Sequence, residues 1–260
     1  MKPTDEKGVF VTGGCGDIGR AVAARFLAAG ACVVLADKVP LARGRAAAAD
    51  LSIDRAAFVR CDVTNAASVR AAFREALKIV PQIDVAICNA GMVQNEPFLK
   101  ATEKAWRATH EVNLNGSFLV ARRAAQLMVK NRRRAHGRRG TILFTGSWVQ
   151  EMPWPEGAAY CSSKGGQQML MRVMAQELAG AGINVNIVAP GIVYAGLSKK
   201  IYDANRVFRK RADSTIPMGR LCSADEVAGS FVFLAGDEGA YITGQSIVID
   251  GGATLVRRDG

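Results

Sequence analysis

Short runs of apolar residues alternate along the whole chain with longer stretches in which apolar residues recur every three or four positions, as at Ile18, Val22 and Phe26. The longer spacing is typical of an amphipathic helix, and a bounded apolar run is typical of a buried strand. The runs predict seven strands, at residues 8–12, 32–36, 57–61, 83–88, 141–146, 183–189 and 246–250. Strands that alternate with helices indicate a parallel sheet covered on both faces, which is a doubly wound α/β fold.

The same pattern continues from one end of the chain to the other, so we predict a single domain over residues 1–260. The charged segment 196–215 interrupts the pattern just after the sixth strand. Because the carboxyl ends of the strands carry the site in this fold, the segment is a candidate substrate lid. A surface excursion without a gating role is the alternative.

The composition is that of an ordinary globular protein, with 49% apolar and 22% charged residues. No apolar run approaches the ~20 residues that cross a bilayer, and the charged N-terminus does not resemble a secretory signal. Six scattered cysteines without a Cys-x-x-Cys pair favour reduced thiols in a cytoplasmic protein. With only two histidines besides, the sequence predicts no metal site and does not favour a Ser-His-Asp hydrolase.

The net charge of +11 is unevenly spread, because six basic residues lie in the loop at residues 130–139. One interpretation is an anion-binding loop for nucleic acid, an acidic carrier or an anionic substrate. The other, which we favour, is a solvated surface loop whose cations suit the C-terminus of the preceding helix. No aromatic residues are interleaved with the basic run, so we expect no nucleic-acid partner.

A glycine-rich segment follows the first predicted strand and opens the first helix. Gly13, Gly16 and Gly19 allow backbone N–H groups to approach a pyrophosphate, and the helix N-terminus adds partial positive charge. This context indicates a dinucleotide-binding loop. Asp37 ends the second strand, 24 residues after Gly13. A carboxylate there accepts hydrogen bonds from the adenosine ribose and repels a 2′-phosphate, which favours NAD over NADP.

Tyr160 and Lys164 are four positions apart, so they lie one turn apart on one helical face. The lysine ammonium stabilises a phenolate and lowers a tyrosine pKa that is otherwise near ~10. Ser147 stands thirteen positions before the tyrosine. Joined to a dinucleotide loop, the pair predicts a redox enzyme whose base is a tyrosine.

The order of these motifs resembles the classical short-chain dehydrogenase/reductase family over essentially the full chain. The resemblance rests on the segment Thr12–Gly19, on Asn89-Ala90-Gly91 and on Pro190-Gly191. It implies a Rossmann-type domain with NAD contacts from Gly13, Gly16, Asp17, Ile18, Gly19, Asp37, Asp62, Val63, Asn89, Ala90, Gly91, Tyr160, Lys164, Pro190, Gly191 and Val193. The family usually has a threonine four or five positions after the proline, and this chain has none there. The contact to the nicotinamide carboxamide must therefore come from elsewhere.

The resemblance also implies a catalytic tetrad of Asn113, Ser147, Tyr160 and Lys164. In such enzymes the tyrosine takes the proton of the substrate hydroxyl while a hydride leaves the same carbon for NAD⁺. The lysine lowers the pKa of the tyrosine and holds the nicotinamide ribose, and the serine hydrogen-bonds the substrate oxygen. The asparagine positions a water that links the lysine to solvent.

The expected substrate is a small alcohol or carbonyl compound. Pro153-Trp154-Pro155 resembles the corresponding element of bacterial glucose 1-dehydrogenases, which favours a sugar or polyol hydroxyl. Trp154 suits the C–H face of a sugar and Gln150 suits its hydroxyls, beside Ser147 and Tyr160, although Trp154 packed as core is the alternative. Two other functions stay open: a different secondary-alcohol dehydrogenase or carbonyl reductase, including a 3-oxoacyl carrier-protein reductase, and a catalytically silent dinucleotide-binding scaffold.

Family members commonly form tetramers through the helices that correspond to residues 102–130 and 157–181. The small residues Ala158, Gly165 and Gly166 permit such packing here. A homotetramer is therefore the expected assembly.

Overall fold

Seven strands form one wholly parallel sheet with helices on both faces. A computed structural model describes residues 6–255 of the chain. The strands are β1 (Gly8–Thr12), β2 (Cys32–Asp37), β3 (Ala56–Arg60), β4 (Val85–Cys88), β5 (Gly140–Thr145), β6 (Ile183–Pro190) and β7 (Ser246–Ile249). They pair in the order β3-β2-β1-β4-β5-β6-β7. The predicted doubly wound fold and its strands are confirmed, and the observed strand ends lie within two residues of the predicted ones.

The α-helices in the described part of the chain are α1 (Asp17–Ala28), α2 (Leu41–Ala49), α3 (Ala66–Ala76), α4 (Glu103–His110), α5 (Gly116–Met128), α6 (Ala158–Leu178), α7 (Gly196–Ala204), α8 (Arg206–Thr215) and α9 (Ala224–Ala235). Their buried apolar residues form two separate layers. Helices α3, α5 and α6 cover one face of the sheet, and α1, α2 and α9 cover the other. The sheet is therefore buried on both sides.

Strand β1 shows how alternate side chains of one strand enter the two layers. Phe10 stacks on Phe73 of α3, with the ring centroids 4.1 Å apart. Val9 and Val11 belong instead to the layer that contains Val22 of α1. Successive side chains of a strand point to opposite faces, so a strand covered on both sides must be apolar throughout. Burying each such side chain contributes roughly 1.5–3 kcal/mol relative to leaving it exposed.

A π-helical turn, Glu111–Asn115, joins α4 to α5 without a break in the helix. The wider turn changes the face that the following residues present. Asn113 lies in this turn and is fully buried. Single π turns within longer helices are frequent at functional sites.

The charged segment 196–215 folds as the two helices α7 and α8. Their apolar side packs on the loop after β5, where Ala212 and Ile216 share a buried cluster with Trp148. The Tyr202 hydroxyl of α7 donates a hydrogen bond of 2.9 Å to Asp213 of α8, which links the two helices. The segment is therefore a folded unit seated beside the carboxyl end of β5.

The basic loop at residues 130–139 lies at the amino edge of the sheet, and it is only partly the solvated loop that we expected. Its exposed residues include Lys130, Arg132 and Arg133. Arg134, in contrast, donates from two nitrogens to the carboxylate of the buried Asp84. Arg138 is only 7% exposed and donates to the carbonyl of Gly236, just after α9, at 2.9 Å. The expectation was wrong for these two arginines because a run of charges in sequence does not reveal which carboxylates and carbonyls the fold brings within reach.

Two structural findings bear on the possible classes of function. Within residues 6–255, no helix is long and apolar enough to cross a membrane. The same residues contain no group of three His, Cys, Asp or Glu side chains placed to hold a metal ion. In addition, the six cysteines form no disulfide bond in the described part of the chain.

Candidate active site

A cleft of about 660 Å³ opens at the carboxyl edge of the sheet. It lies where β1 and β4 are neighbours and the strand order reverses, which is where doubly wound folds bind their ligands. The structure brings together here all of the residues predicted to contact the cofactor: Gly13, Gly16, Asp17, Ile18, Gly19, Asp37, Asp62, Val63, Asn89, Ala90, Gly91, Tyr160, Lys164, Pro190, Gly191 and Val193. Ser147 lines the same cleft.

The glycine loop is shaped by close backbone contacts. Gly13 has a φ of +61°, and a Cβ there would lie 2.9 Å from the Cα of Ala90. A Cβ on Gly19 would lie 2.3 Å from the carbonyl oxygen of Gly13. The Asn89 side chain donates to the carbonyls of Thr12 and Gly13, at 3.0 and 3.2 Å. A residue with a Cβ at either position would therefore collide with this backbone and displace the loop that precedes the helix N-terminus.

Two carboxylates lie at the far end of the cleft, after β2 and β3. Asp37 accepts a hydrogen bond of 3.1 Å from the backbone N–H of Cys15, which fixes it against the glycine loop. Lys38 lines the cleft beside it. Asp62 accepts from the hydroxyl and the backbone N–H of Thr64, at 2.7 and 3.0 Å, and these bonds lower the pKa of Asp62. Both acids are positioned to accept hydrogen bonds from a bound nucleoside.

A third carboxylate connects the glycine loop to the segment 196–215. Asp17, the first residue of α1, accepts a hydrogen bond of 2.7 Å from the backbone N–H of Gly196. Gly196 has a φ of +51° and is the first residue of α7. The loop that holds the cofactor is thus tied to the start of the candidate lid, a link that sequence reasoning missed because the two residues are far apart in the chain.

The predicted tyrosine–lysine pair lies on α6 at the floor of the cleft. The Lys164 ammonium is 5.8 Å from the centroid of the Tyr160 ring and donates to the carbonyl of Thr145 at 2.7 Å. Ser147, just beyond the end of β5, hydrogen-bonds the Tyr160 hydroxyl. The three side chains therefore meet at the end of β5.

Burial dominates the electrostatics of these groups. It raises the pKa of Tyr160, and the hydrogen bond with Ser147 opposes the rise. It lowers the pKa of Lys164 to about 8. The expectation of a lowered pKa for Tyr160 is wrong for the free protein, because the sequence argument counted the ammonium charge and left out the desolvation of the buried phenol.

Asn113 lies behind the wall of the cleft and holds the loop after β4. Its Oδ1 accepts from the backbone N–H of Met92 at 2.8 Å, and its Nδ2 donates to the carbonyl of the same residue at 2.9 Å. Its own carbonyl accepts from the side chain of Gln167 at 3.2 Å. Sequence reasoning missed Gln167, although its position three residues after Lys164 places both side chains on one face of α6.

Gln150, predicted to bind substrate hydroxyls, and Trp154, predicted to contact the C–H face of a sugar, do not line the cleft. Gln150 donates to the hydroxyl of Ser246 on β7, and its Oε1 is buried without a hydrogen-bond partner in the described part of the chain. The Trp154 ring packs on Trp148, with centroids 5.7 Å apart. After Pro190-Gly191, where the family's threonine is missing, the hydroxyl side chain that lines the cleft is Ser198.

A parallel sheet with a glycine loop at the reversal of strand order, and a Ser-Tyr-Lys trio at the floor of the same cleft, defines a dinucleotide-dependent oxidoreductase. A family model described as "Enoyl-(Acyl carrier protein) reductase" matches residues 15–254. A solved structure of a short-chain type dehydrogenase/reductase from Mycobacterium marinum is similar, with a TM-score of 0.86 and 31% identity over 96% of each chain. The chain belongs to the short-chain dehydrogenase/reductase family.

Three relatives with known activities cover nearly the whole chain. The D-threitol dehydrogenase of Mycolicibacterium smegmatis is 34% identical over 96% of this chain and 94% of its own length. The galactitol 2-dehydrogenase (L-tagatose-forming) of Cereibacter sphaeroides is 34% identical over 94% of each chain. The 3-oxoacyl-(acyl-carrier-protein) reductase of Escherichia coli is 31% identical over 95% of this chain and 97% of its own.

Proposed function

We propose that this protein is an NAD-dependent dehydrogenase that oxidises a secondary or anomeric hydroxyl of a sugar or polyol. The observation that carries the proposal is the meeting of Ser147, Tyr160 and Lys164 at the floor of a cleft whose other walls fit a dinucleotide. The polyol dehydrogenases among the relatives support the substrate class. The enzymatic interpretation is favoured over a silent scaffold because the base, its cation and a hydrogen-bond donor are all in place.

The residues present fit a nicotinamide dinucleotide. The pyrophosphate would lie against the N-terminus of α1, beside Gly13, Gly16 and Gly19, which line the cleft without a side chain. When bound, the oxidised nicotinamide supplies a hydride acceptor and a positive charge. The walls formed by Asn89-Ala90-Gly91 and Pro190-Gly191 would hold it next to the catalytic floor.

The catalytic work of the chain is proton transfer at a fixed position. The Tyr160 oxygen takes the proton of the substrate hydroxyl, and Ser147 hydrogen-bonds the same substrate oxygen and holds it against the base. Tyr160 must be a phenolate before it can take this proton, so Lys164 stabilises that phenolate, and it would offer its remaining N–H to the ribose of the cofactor. Asn113 keeps the loop after β4 in place through its two bonds to Met92.

We propose NAD over NADP because of the Asp37 carboxylate at the end of β2. It is held toward the glycine loop by the N–H of Cys15, at the place where an adenosine ribose would lie. A 2′-phosphate would meet this negative charge at close range. The positive charge of Lys38 only partly offsets the repulsion between Asp37 and a 2′-phosphate.

The second candidate is a 3-oxoacyl carrier-protein reductase, which the Escherichia coli relative favours. An acidic carrier would suit a basic surface, and residues 130–139 are the most basic part of this chain. Two of those arginines are used internally, by Asp84 and Gly236. This use weakens the case for a carrier surface, so we place the reductase second.

We also propose one catalytic domain over residues 1–260 in which α7 and α8, residues 196–215, act as the substrate lid. We also propose a cytoplasmic homotetramer. Apolar side chains are exposed on the outer sides of α4, α5 and α6, namely Trp106, Phe118, Met169 and Val173. Light scattering coupled to size exclusion tests the assembly.

The experiment that tests the proposed function follows NADH formation by absorbance at mildly alkaline pH. Purified protein is supplied with NAD⁺ or NADP⁺ and a panel of threitol, galactitol, glycerol, glucose and simple secondary alcohols. We expect turnover with a polyol or sugar and NAD⁺. Turnover with simple alcohols alone would contradict the substrate class, and a strong NADP⁺ preference would contradict the role of Asp37 and favour the reductase.

The Tyr160→Phe variant separates an enzyme from a scaffold. It keeps the ring and its packing but has no proton acceptor, so turnover should fall by ~10³-fold while NADH still binds. NADH binding is measured by fluorescence titration. Equal turnover in the variant and the native protein would contradict the assignment of the base.

A further inference from the structure

Gln167 connects the lysine of the site to the π-helical turn through one side chain. Its Oε1 lies 3.4 Å from the Lys164 ammonium, and its Nε2 lies 3.2 Å from the carbonyl of Asn113 and 2.8 Å from the hydroxyl of Ser117. The residue is fully buried. All the polar atoms of the amide are therefore used, and one of them contacts a catalytic group.

The ammonium of Lys164 has three N–H donors to place. One goes to the carbonyl of Thr145 at 2.7 Å and a second to Gln167 at 3.4 Å. Since Lys164 also lines the cleft, the third is left for the cleft. The hydrogen bonds to Thr145 and Gln167 thus determine the direction in which the third N–H of Lys164 points.

An amide is the side chain that suits this position. Leucine or methionine would fill the space but would leave the carbonyl of Asn113 and the hydroxyl of Ser117 without their donor. A glutamate would accept from Lys164 but could not donate to Asn113, and its charge would pair with the ammonium and draw it inward. The neutral amide bonds the cation and leaves its charge uncompensated.

We propose that Gln167 is a positioning residue that holds the Lys164 ammonium toward the cleft and keeps its charge available to Tyr160. This inference rests on the proposed function for its role in turnover, although the contact itself exists in the free protein. The side chain acts through Lys164 and touches neither cofactor nor substrate. Gln167 also links the lysine to the π-helical turn that carries Asn113.

Gln168 supplies a matched control. It is also buried on α6, but its side chain donates to Glu151 and not to any catalytic group. Replacing either glutamine by methionine removes one buried amide of the same size from the same helix. If Gln167 serves only in packing, the two replacements should change the titration of Lys164 to a similar extent. If it positions Lys164, only the replacement of Gln167 should change that titration.

The experiment labels lysine with ¹³C at Cε and follows the titration of Lys164 by NMR in the cofactor-free protein, with melting temperatures as a stability control. We expect Gln167→Met to raise the acid dissociation constant of Lys164 by about 3-fold or more, because a bond to the charged form is lost. Gln167→Glu should lower that constant by ~10-fold. Gln168→Met should leave it unchanged. An unchanged titration in both Gln167 variants, or an equal shift in Gln168→Met, would overturn the proposal.

Turnover supplies the second measurement. With a polyol substrate, Gln167→Met should lower kcat by ~10-fold with little change in KM, and its pH profile should shift with the Lys164 titration. Gln168→Met should retain the native profile. If no substrate of the proposed class is turned over, the proposed function fails, and the titration in the free protein still decides the role of Gln167.

Discussion

The two edges of the sheet both bury cations, and they stabilise them differently. At the amino edge, Arg134 pairs with the carboxylate of Asp84, and Arg138 donates to the carbonyl of Gly236. At the carboxyl edge, Lys164 is 4% exposed and donates to uncharged oxygens. Among residues 6–255, no carboxylate forms an ion pair with it or raises its pKa.

This difference separates the arginines, which stabilise the fold, from the lysine, which takes part in the chemistry. An arginine keeps its proton in proteins, so pairing it with a carboxylate or a helix end gives a permanent structural contact. An unpaired buried lysine loses its proton more easily, and burial lowers the pKa of Lys164 to about 8. A buried cation left without a carboxylate beside an open cleft indicates that its partner is a group that is charged only in the active form of the site. The phenolate of Tyr160, which must be present before the substrate proton is transferred, is that partner.

The strongest way to test this comparison is to remove the unpaired cation. Lys164→Met should lower turnover by ~10³-fold, because the phenolate loses its stabilising charge. The variant should be at least as stable as the native protein at pH 7, since no buried charge remains to be desolvated. Steady-state kinetics and urea unfolding measure the two effects. A loss of stability as large as the loss of activity would show that Lys164 is structural.

Removing a carboxylate at the amino edge should give the opposite result. Asp84→Ala removes the carboxylate to which Arg134 donates from two nitrogens and should cost about 3 kcal/mol in the free energy of unfolding. The same change removes the acceptor of the Gly8 N–H, at 2.8 Å. Because this edge is remote from the cleft, kcat per folded molecule should stay within about two-fold of native. A large fall in kcat at unchanged stability would contradict the division between the edges.

The dependence of stability on pH should reveal the unpaired lysine. The pKa of Lys164 is lowered from 10.5 to about 8 on folding, so the unfolded chain binds more protons between these values. The contribution of Lys164 to the free energy of unfolding therefore rises with pH between these two values. Relative to Lys164→Met, the native protein should gain about 2 kcal/mol in unfolding free energy between roughly pH 7 and 9.5. Urea unfolding at both pH values measures it, and a constant difference would argue for an ordinary lysine.

The smallest expected effect concerns the bond between Asp17 and the N–H of Gly196, which joins the glycine loop to the proposed lid. Asp17→Ala removes the acceptor and should speed NADH release by roughly 3-fold, the size expected for one exposed hydrogen bond. Asp17→Asn keeps an acceptor oxygen and should remain near native. Stopped-flow fluorescence measures the release rate. If NADH release were equally faster in both variants, the effect would come from the lost charge of Asp17 and not from the lost hydrogen bond.

The fold and the cofactor cleft were largely predictable from sequence because their signals are local. Each buried strand is an apolar run bounded by turns, and the glycine loop is contiguous in the chain. Tyr160 and Lys164 are four residues apart on one helix, so their proximity follows from helical geometry. Ser147 required the resemblance, since its distance from Tyr160 is set by the loop between them.

Other features depend on contacts between distant segments and were missed. The arginines of the loop at residues 130–139 find their partners on β4 and after α9, which no spacing in the sequence indicates. The pKa of Tyr160 depends on burial under the loop after β5 and the segment 196–215, which outweighs the nearby charge. Gln167 was detectable as a neighbour of Lys164 on α6, but its link to Asn113 requires the π-helical turn.

The most direct test of the comparison is the titration of Lys164 in the free protein, followed by ¹³C NMR of labelled lysine. The resonance is assigned by its absence in Lys164→Met. We predict a midpoint near 8 for Lys164, against about 10.4 for a lysine side chain in a model peptide. A midpoint at the model-peptide value would show that the ammonium already has a compensating partner, and would contradict the claim that the site keeps its cation for the phenolate.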